Sequence, residues 1–370
     1  MQMSKNSKDI VITSAFRTSI GKLNGDHKNL HAYDLGSMVI KKILRQTIIN
    51  SEEIDEIILG QVLHGLSGQN PARQASIKAG IPKEKTALNI NQVCGSGLRA
   101  IVLGYQSIKL GESNFIIAGG QESMSNSSEK EMLKNGLIDA FYNYHMGVTA
   151  ENVAEKFSIS REEQDHFALE SQFKAESSIK NKIFLNEIID NNQDEHPRFN
   201  LNIENLKKLK PAFKKDGTVT AGNSSGINDG AAGVLLTTRD LAEKKNLDIQ
   251  AKIVSWATCG VDPKLMGLGP IPSSRKALEI AGWSINDLDL IECNEAFAAQ
   301  TIAVVKELKV PKEKLNVNGG AIAIGHPIGA SGARLIVTLV HEMIKRDNKK
   351  GLVTLCIGGG MGISMCIARD

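Results

Sequence analysis

The sequence predicts an α/β protein whose core is built from two similar halves. Its 370 residues exceed what one ordinary core accommodates. Only 4% of the residues are aromatic, and the 34 glycines indicate many close backbone approaches. The segments Gly95–Val102 and Ala330–Val337 both place Ser-Gly-x-Arg before an apolar helix, and each helix leads to a buried strand with glycines. The same order of elements in both halves predicts an internal duplication.

The first half alternates short apolar runs with helical apolar patterns, as expected of strands and helices that share one sheet. Asp34 is the expected N-cap of the first helix, and Pro71 suits the first turn of the second. The elements predicted here are a strand at Ile10–Ser14, a helix at Asp34–Thr47, a strand at Ile54–Leu63, a helix that opens at Gln69–Gln74 and a strand at Phe115–Gly120.

From Ser123 to Lys215 polar and charged residues dominate, and the helical segment Arg161–Lys180 is amphipathic. We expect this part to be an inserted layer over the core. Its basic residues are predicted to be a solvated face, with a phosphate-facing role as the less favoured alternative: Lys207, Lys208, Lys210, Lys214 and Lys215.

The core pattern begins again after the insertion. The predicted elements are a strand at Ala251–Trp256, a helix at Ser273–Ala281 and a strand at Leu288–Cys293. The predicted division is residues 1–122 for the first core half, 123–222 for the inserted loop domain, 223–250 for the return to the first half and 251–370 for the second half.

One cysteine lies where an apolar segment turns into a helix. Cys94 is followed by Gly95-Ser-Gly97 and then by a helical apolar pattern. Free N–H groups and the positive dipole end of that helix are expected to stabilise a thiolate. Taken alone, a cysteine beside glycines is more often a small buried apolar side chain.

Three segments of the second half are rich in reactive side chains, namely Asn294–Phe297, Asn318–Gly332 and Cys356–Gly362. His326 stands between Gly325 and Pro327, and the proline favours an extended backbone at the histidine. By itself this histidine suits a satisfied core position. The glycine run after Cys356 does not match a dinucleotide loop, because no G-x-G-x-x-G with a following acidic residue is present.

If two similar halves face each other across a pseudo-twofold axis, their equivalent loops converge. Cys94 would then lie close to His326 and Cys356. A cysteine beside a neutral histidine and a helix start is an activated nucleophile. The second cysteine can act as acid or base, and free glycine N–H groups can bind a developing oxyanion.

Composition excludes several function classes. A net charge of +3 is too small to indicate a nucleic-acid partner, and no apolar run is long enough to cross a membrane. Five cysteines without a C-x-x-C pair suit free thiols in a reducing compartment, not disulfides or a metal site. The first nine residues lack the apolar core of a signal peptide, so we expect a cytoplasmic protein.

The chain resembles the thiolase family. The resemblance covers Ile10 to Arg369 and rests on five motifs in order: Val93–Leu98, Gly119–Met124, Asn294–Ala298, Gly325–Gly332 and Cys356–Gly362. It implies a duplicated, five-layered α-β-α-β-α core with an inserted loop domain.

The resemblance also implies roles for individual residues. Cys94 would become acylated, His326 would activate it, and Cys356 would shuttle a proton at the α-carbon. Asn294 would hold a water that polarises a thioester carbonyl together with His326. The N–H groups of Cys94 and Gly358 would form a second oxyanion hole.

The residues that the resemblance places against substrate or coenzyme A are His145, Met146, Arg198, Phe213, Ala221, Ser225 and Phe297. The pair His145-Met146 matches thiolases that make acetoacetyl-CoA. The implied activity is acetyl-CoA C-acetyltransferase, with acetyl-CoA, acetoacetyl-CoA and CoA as ligands and no cofactor or metal. Alternatives are a broad-chain 3-ketoacyl-CoA thiolase and, remotely, a non-catalytic lipid-carrier relative.

Assembly is the last expectation from the sequence. Thiolases are generally at least dimers, and bacterial biosynthetic members pair two dimers through a protruding loop. Only Ser125–Tyr144 separates Met124 from His145, which is shorter than that family pattern. We therefore expect a homodimer that does not form the loop-clasped tetramer.

Overall fold

The strands of the computed structural model form one continuous sheet of ten strands, whose two halves have matching topology and are called the first and the second sheet. The structure describes residues 8–65, 67–190 and 193–370. The strands of this part of the chain are β1 (Ile10–Arg17), β2 (Gly21–Lys22), β3 (Glu56–Gly60), β4 (Thr86–Ile90), β5 (Ile116–Ser123), β6 (Asn228–Thr238), β7 (Ala251–Gly260), β8 (Leu290–Cys293), β9 (Lys350–Ile357) and β10 (Met361–Ala368).

Helices of very different length connect these strands. They are α1 (Ala32–Gln46), α2 (Pro71–Ala79), α3 (Ser96–Leu110), α4 (Glu129–Met132), α5 (Met146–Lys156), α6 (Arg161–Lys180), α7 (Ile203–Lys207), α8 (Arg239–Lys244), α9 (Pro270–Ala281), α10 (Ala298–Leu308), α11 (Ala321–Ile324) and α12 (Ser331–Lys345). Among the described residues, no helix is both long and apolar enough to cross a membrane.

Strand order confirms the predicted duplication. The first half runs β4-β3-β5-β6-β1 and the second β7-β10-β9-β8, while β2 pairs with β6. In the first half β3 pairs parallel with β5, and the pairings of β5 with β6 and of β6 with β1 are antiparallel. In the second half β8 pairs parallel with β9, and the pairings of β9 with β10 and of β10 with β7 are antiparallel. A parallel bridge between Ile291 and Leu315 occupies the place that β4 has in the first half.

Three apolar clusters define the layers. The central cluster joins α3 and α12 to the inner faces of both sheets, through residues such as Ile101, Ile336 and Leu355. A second cluster packs α1 and α2 on the outer face of the first sheet, and a third packs α9 and α10 on the second. The result is the expected α-β-α-β-α order, with two helices buried in the middle.

The described residues between β5 and β6 contain helices and turns in place of sheet strands. Helix α6 spans the predicted Arg161–Lys180 and begins at the capping residue Ser160. Apolar side chains of α5 and α6, including Val153 and Ala168, pack against Ala298 and Ala303 of α10. This segment therefore covers the second half and leads into the cavity described below.

Some predicted boundaries are wrong. Helix α1 begins after His31, and Asp34 is not its N-cap but accepts a hydrogen bond from the His31 N–H at 2.9 Å. Strand β3 is shorter than predicted because the N–H groups after it turn to a side chain of β5. Strand β5 extends to Ser123, which was expected to open the insertion, because Ser123 pairs with Asp229 of β6.

The two central helices meet at glycines. A Cβ on Gly332 would lie 2.5 Å from the N of Leu98, and one on Gly97 would lie 2.9 Å from the N of Ala333. The nearest atom in each case is a backbone nitrogen, so neither position has room for a methyl group. The crossing of α3 and α12 therefore fixes how the two halves sit against each other.

Gly332→Ala is expected to lower the free energy of unfolding by about 2 kcal/mol, because the added methyl overpacks this crossing. Gly260→Ala is the matched control, since a Cβ there meets only one atom, at 3.9 Å. That variant should change stability by less than about 0.5 kcal/mol. Equilibrium urea unfolding measures both; equal midpoints for the two variants would contradict the close crossing.

Candidate active site

A cavity of about 320 Å³ collects residues from both halves and from the insertion. Nearly all of the sequence-predicted site residues line it: Cys94, His145, Met146, Arg198, Phe213, Ala221, Ser225, Phe297, His326, Cys356 and Gly358. Asn294 is fully buried behind His326 and does not line the cavity. The equivalent loops of the two halves therefore converge on one cavity, as expected.

Cys94 lies in a tight turn between β4 and α3. The Asn91 side chain accepts a hydrogen bond from the Val93 N–H at 2.8 Å, and the Ser96 hydroxyl donates to the Val93 carbonyl at 2.6 Å. Val93 has a φ of +47°, an unfavourable conformation for a β-branched residue. A Cβ on Gly95 would lie 2.5 Å from the end of the Ile357 side chain, which would have to shift to make room for it.

The thiol of Cys94 is not the stabilised thiolate that the helix start predicted. Burial raises its pKa to about 11, although hydrogen bonds from the N–H groups of Gly358 and of Cys94 itself offset part of the effect. Desolvation of the charged form thus outweighs the helix start. In the free enzyme Cys94 is a neutral thiol that needs a base.

The hydrogen bonds of His326 suit it to act as a base. Its backbone N–H donates to the Asn228 side chain at 2.9 Å. The Ser331 hydroxyl donates to the Pro327 carbonyl at 2.8 Å, so its oxygen accepts from His326 Nδ1–H at 2.5 Å. This arrangement leaves Nε2 unprotonated, with its lone pair as a hydrogen-bond acceptor. Burial, and secondarily the charge of Arg334, lowers the pKa of His326 to about 4, which keeps the imidazole neutral at pH 7.

Cys356 is held at the end of β9 and is fully buried. Burial raises the pKa of its thiol well above the usual range, and negative charge on Cys94 raises it further. The two thiols are therefore close enough that ionisation of one opposes ionisation of the other. Gly359 and Gly360, both with a φ of +85°, turn the chain directly into β10. The glycine run leads into a strand and not a helix, so it is not a dinucleotide loop.

Asn294 contacts the other side of the imidazole. Its Nδ2 lies 3.5 Å from His326 Nε2, and its backbone N–H donates to the Thr354 carbonyl at 3.0 Å. The buried Oδ1 accepts no hydrogen bond from any described residue. A buried amide oxygen without a protein donor is suited to a bound water.

Aromatic rings line one side of the cavity. His145 stacks on Phe213 with ring centroids 4.5 Å apart, and Phe213 meets Phe297 edge-on at 6.1 Å. Met146 is buried in the same cluster as Phe297 and Cys356. The five lysines of the basic segment are all exposed, in agreement with a solvated face: Lys207, Lys208, Lys210, Lys214 and Lys215.

Several residues of the site escaped the sequence analysis as candidates. Met124, Gly136, Leu137, His196, Met266 and Ile328 line the cavity, while Asn228 and Ser331 hold His326. Ile328 and Ser331 lie inside the quoted histidine motif, so their position was a usable signal. Met266 has no such signal, because only the tertiary fold brings it to the cavity. Among the described residues no group of three or more His, Cys, Asp or Glu side chains is placed to hold a metal ion.

Comparison with protein families identifies the architecture. The model described as "Thiolase, N-terminal domain" matches residues 10–240, and "Thiolase, C-terminal domain" matches residues 247–369. The chain belongs to the thiolase family.

Individual thiolases are similar over their whole length. "Acetyl-CoA acetyltransferase" of Rhizobium meliloti (strain 1021) is 53% identical over 391 residues, which cover 98% of this chain and 100% of the relative. The protein of the same name from Shinella zoogloeoides is 53% identical over 389 residues, covering 98% and 99% of the two chains. Both alignments are longer than this 370-residue chain, so the chain carries net deletions relative to these thiolases.

Solved structures agree closely with the fold. The Bacillus anthracis acetyl-CoA acetyltransferase superposes with a TM-score of 0.95 at 41% identity, covering 98% of each chain. Human mitochondrial 3-ketoacyl-CoA thiolase in complex with CoA superposes with a TM-score of 0.95 at 40% identity, again covering 98% of each chain. The fold alone therefore does not separate these two kinds of thiolase.

Alkylation of Cys94 by iodoacetamide is expected to accelerate about tenfold per pH unit from roughly pH 7 to pH 10, because only the thiolate reacts. The rate rises with pH because the pKa of Cys94 is raised to about 11, which leaves little thiolate at neutral pH. Mass spectrometry of the Cys94 peptide measures the rate. Alkylation that persists in Cys94→Ala is the control, because it reports reaction at Cys259. A rate that is already constant at pH 7 would instead reveal a stabilised thiolate.

Proposed function

We propose that the chain is an acetyl-CoA C-acetyltransferase, which condenses two molecules of acetyl-CoA reversibly to acetoacetyl-CoA and CoA. The observation that carries this proposal is the single cavity in which Cys94, His326 and Cys356 meet. Full-length relatives at 53% identity that are named acetyl-CoA acetyltransferase support the choice of substrate.

The first half-reaction acetylates Cys94. His326 Nε2 takes the proton from the thiol, and the sulfur attacks the thioester carbonyl of acetyl-CoA. The N–H groups of Cys94 and Gly358, which hydrogen-bond the sulfur in the free protein, would receive the oxyanion. When the carbon–sulfur bond to CoA breaks, the leaving thiolate takes the proton back from His326.

The second half-reaction uses Cys356 as the base. Its proton passes to His326, and the Cys356 thiolate then removes an α-proton from the second acetyl-CoA. Imidazolium Nε2–H and a water on Asn294 stabilise the resulting enolate. The enolate attacks the acetyl group and releases the Cys94 thiolate, which is protonated by His326. The thioester at Cys94 carries no charge, so it does not oppose the Cys356 thiolate in this step.

Acetyl-CoA is expected to leave an acetyl adduct on the Cys94 peptide, detectable by mass spectrometry. Cys94→Ala should abolish the adduct. Cys356→Ala should still form it but lose condensation by at least about 10³-fold, because the α-proton then has no acceptor. An adduct on Cys356 in the unmodified enzyme would contradict these assignments.

Coenzyme A contacts belong to the same proposal. Arg198 and the turn with Ala221 and Ser225 lie at the cavity, with Phe213 stacked on His145 at the same side. The lysines of the basic segment Lys207–Lys215 are exposed, and the segment contains the cavity-lining residues Ala212 and Phe213. Coenzyme A thioesters are the substrates, and the proposed chemistry requires no cofactor.

A broad-chain 3-ketoacyl-CoA thiolase is the second candidate, because the human enzyme of that name superposes equally well. Met146 argues against it. Its side chain is 8% exposed, and its sulfur would lie 3.6 Å from a Cβ at Gly358, so it fills space beside the reactive groups.

We expect kcat/KM for thiolysis to be at least about 100-fold higher for four-carbon than for eight-carbon 3-ketoacyl-CoA, because the added methylenes find no room. Met146→Ala should reduce this ratio roughly tenfold by opening space. Steady-state kinetics with both substrates is the measurement. Equal kcat/KM values in the unmodified enzyme would favour the broad-chain alternative.

A homodimer is proposed from the edge of the first sheet. Strand β4 pairs only with β3 in the described residues, and Leu88 on it is 41% exposed. An exposed edge strand is suited to pairing with a second copy. The segment Ser125–Tyr144 folds back so that Gly136 and Leu137 line the chain's own cavity, which supports a short loop that does not clasp another dimer.

Light scattering after gel filtration at micromolar concentration should give the mass of two chains. Replacing Leu88 by Lys should shift the protein toward one chain, because a buried unpaired charge is costly at an interface. Lys at the equally exposed Ile77, in helix α2, is the control and should leave the dimer intact. A mass of four chains that persists on dilution would contradict the proposal.

A further inference from the structure

Glu122 is a buried carboxylate that the reaction steps above do not use. It lies near the end of β5 and is 0% exposed. Its hydrogen-bond donors among the described residues are three backbone N–H groups. Oε2 accepts from Val62 at 3.0 Å and from Gly329 at 2.9 Å, and Oε1 accepts from Leu63 at 3.1 Å. Both oxygens of the side chain therefore accept backbone N–H groups.

These donors come from the two halves of the chain. Val62 and Leu63 follow β3 in the first half, whereas Gly329 belongs to the second-half segment Gly325–Gly332 that carries His326. Two residues beyond Gly329, Ser331 holds the imidazole through Nδ1. The space between is tight, since a Cβ on Gly329 would lie 2.7 Å from the Cα of Gln61. One carboxylate therefore ties the histidine loop to the half that carries Cys94.

We propose that Glu122 is a positioning residue that fixes the His326 loop relative to Cys94. This inference rests on the proposed acetyl-transfer function. A proton transfer from sulfur to Nε2 requires close, aligned contact, and a shift of 1 Å in such a site can cost about 10²-fold in rate. A carboxylate holds N–H donors from both sides at once, whereas an amide side chain offers only one acceptor oxygen.

The charge of Glu122 has a second effect at the nucleophile. Negative charge on Glu122 raises the pKa of Cys94, in addition to the larger effect of burial. Burial raises the pKa of Glu122 itself to about 8, and its three N–H donors act against that shift. Asp229 of β6 is the other acidic group that acts on it. Above a pH of about 8 the carboxylate is ionised, and its charge then opposes a free thiolate at Cys94.

The test compares Glu122→Gln and Glu122→Asp with the unmodified enzyme. Glutamine removes the charge and one acceptor, while aspartate keeps the charge but withdraws it by one methylene. We expect kcat for acetoacetyl-CoA thiolysis to fall about 10²-fold in both variants with KM changed less than threefold, because alignment and not binding is lost. At pH 9, alkylation of Cys94 should become roughly tenfold faster in Glu122→Gln only, because loss of the charge lowers the thiol pKa.

Asp55→Asn is the matched control. Asp55 accepts from the backbone N–H groups of Asn114 and Phe115 at 2.7 and 3.1 Å, at the opposite end of β5. This variant should keep kcat within twofold. If Glu122→Gln does not fold, Glu122→Asp alone decides the positioning role. A kcat within twofold of the unmodified enzyme in either folded Glu122 variant would overturn the proposal.

Failure of the proposed acetyl-transfer function can be distinguished from failure of the role proposed for Glu122. If the unmodified protein does not cleave acetoacetyl-CoA, the proposed function is wrong, and the alkylation rates still report whether Glu122 acts on Cys94. Unchanged alkylation in Glu122→Gln, with an active unmodified enzyme, overturns the electrostatic part of the inference alone.

Discussion

The backbone-to-backbone crossing of α3 and α12 is the constraint on which the active site depends. Both helices start within a few residues of a reactive side chain, Cys94 in one half and His326 in the other. Gly97 and Gly332 let these helix starts approach without side chains between them. A duplicated fold brings equivalent helix starts to its pseudo-symmetry axis, and glycine at the crossing brings them within reach of one substrate.

Burial is the dominant electrostatic influence on the three central groups. It raises the pKa of Cys94 and of Cys356 and lowers that of His326. Each group is thus neutral in the free protein, and charge can develop only by transfer among them. Such a site moves protons internally, which suits a reaction that ends with the same protonation states as it began.

Local patterns predicted the duplication and most elements, because apolar periodicity and the repeated Ser-Gly-x-Arg report on the chain's own neighbourhood. They also indicated Cys94, His326 and Cys356, whose catalytic roles remain predictions. The layer order and the other predicted residues of the cavity came from the family resemblance. The expectation of a stabilised thiolate at Cys94 was wrong for a physical reason. A helix start is visible in sequence, whereas the burial that outweighs it is supplied by distant segments such as Ile357.

The residues that the sequence did not indicate share one property. Asn228 and Met266 act on the site through contacts with segments distant in sequence, and no local spacing marks them. The N-cap of α1 could not be predicted for a similar reason. Either His31 or Asp34 could begin a helix, and only the folded backbone selects between them.

Exchange of the α-hydrogens of acetyl-CoA tests the central claim most directly, namely that side chains of the two halves act on one substrate. Methyl-deuterated acetyl-CoA is incubated with enzyme in ordinary water, and loss of deuterium is followed by mass spectrometry. The unmodified enzyme should exchange the label, and Cys356→Ala should not, although its Cys94 still becomes acetylated. Undiminished exchange in Cys356→Ala would contradict the account.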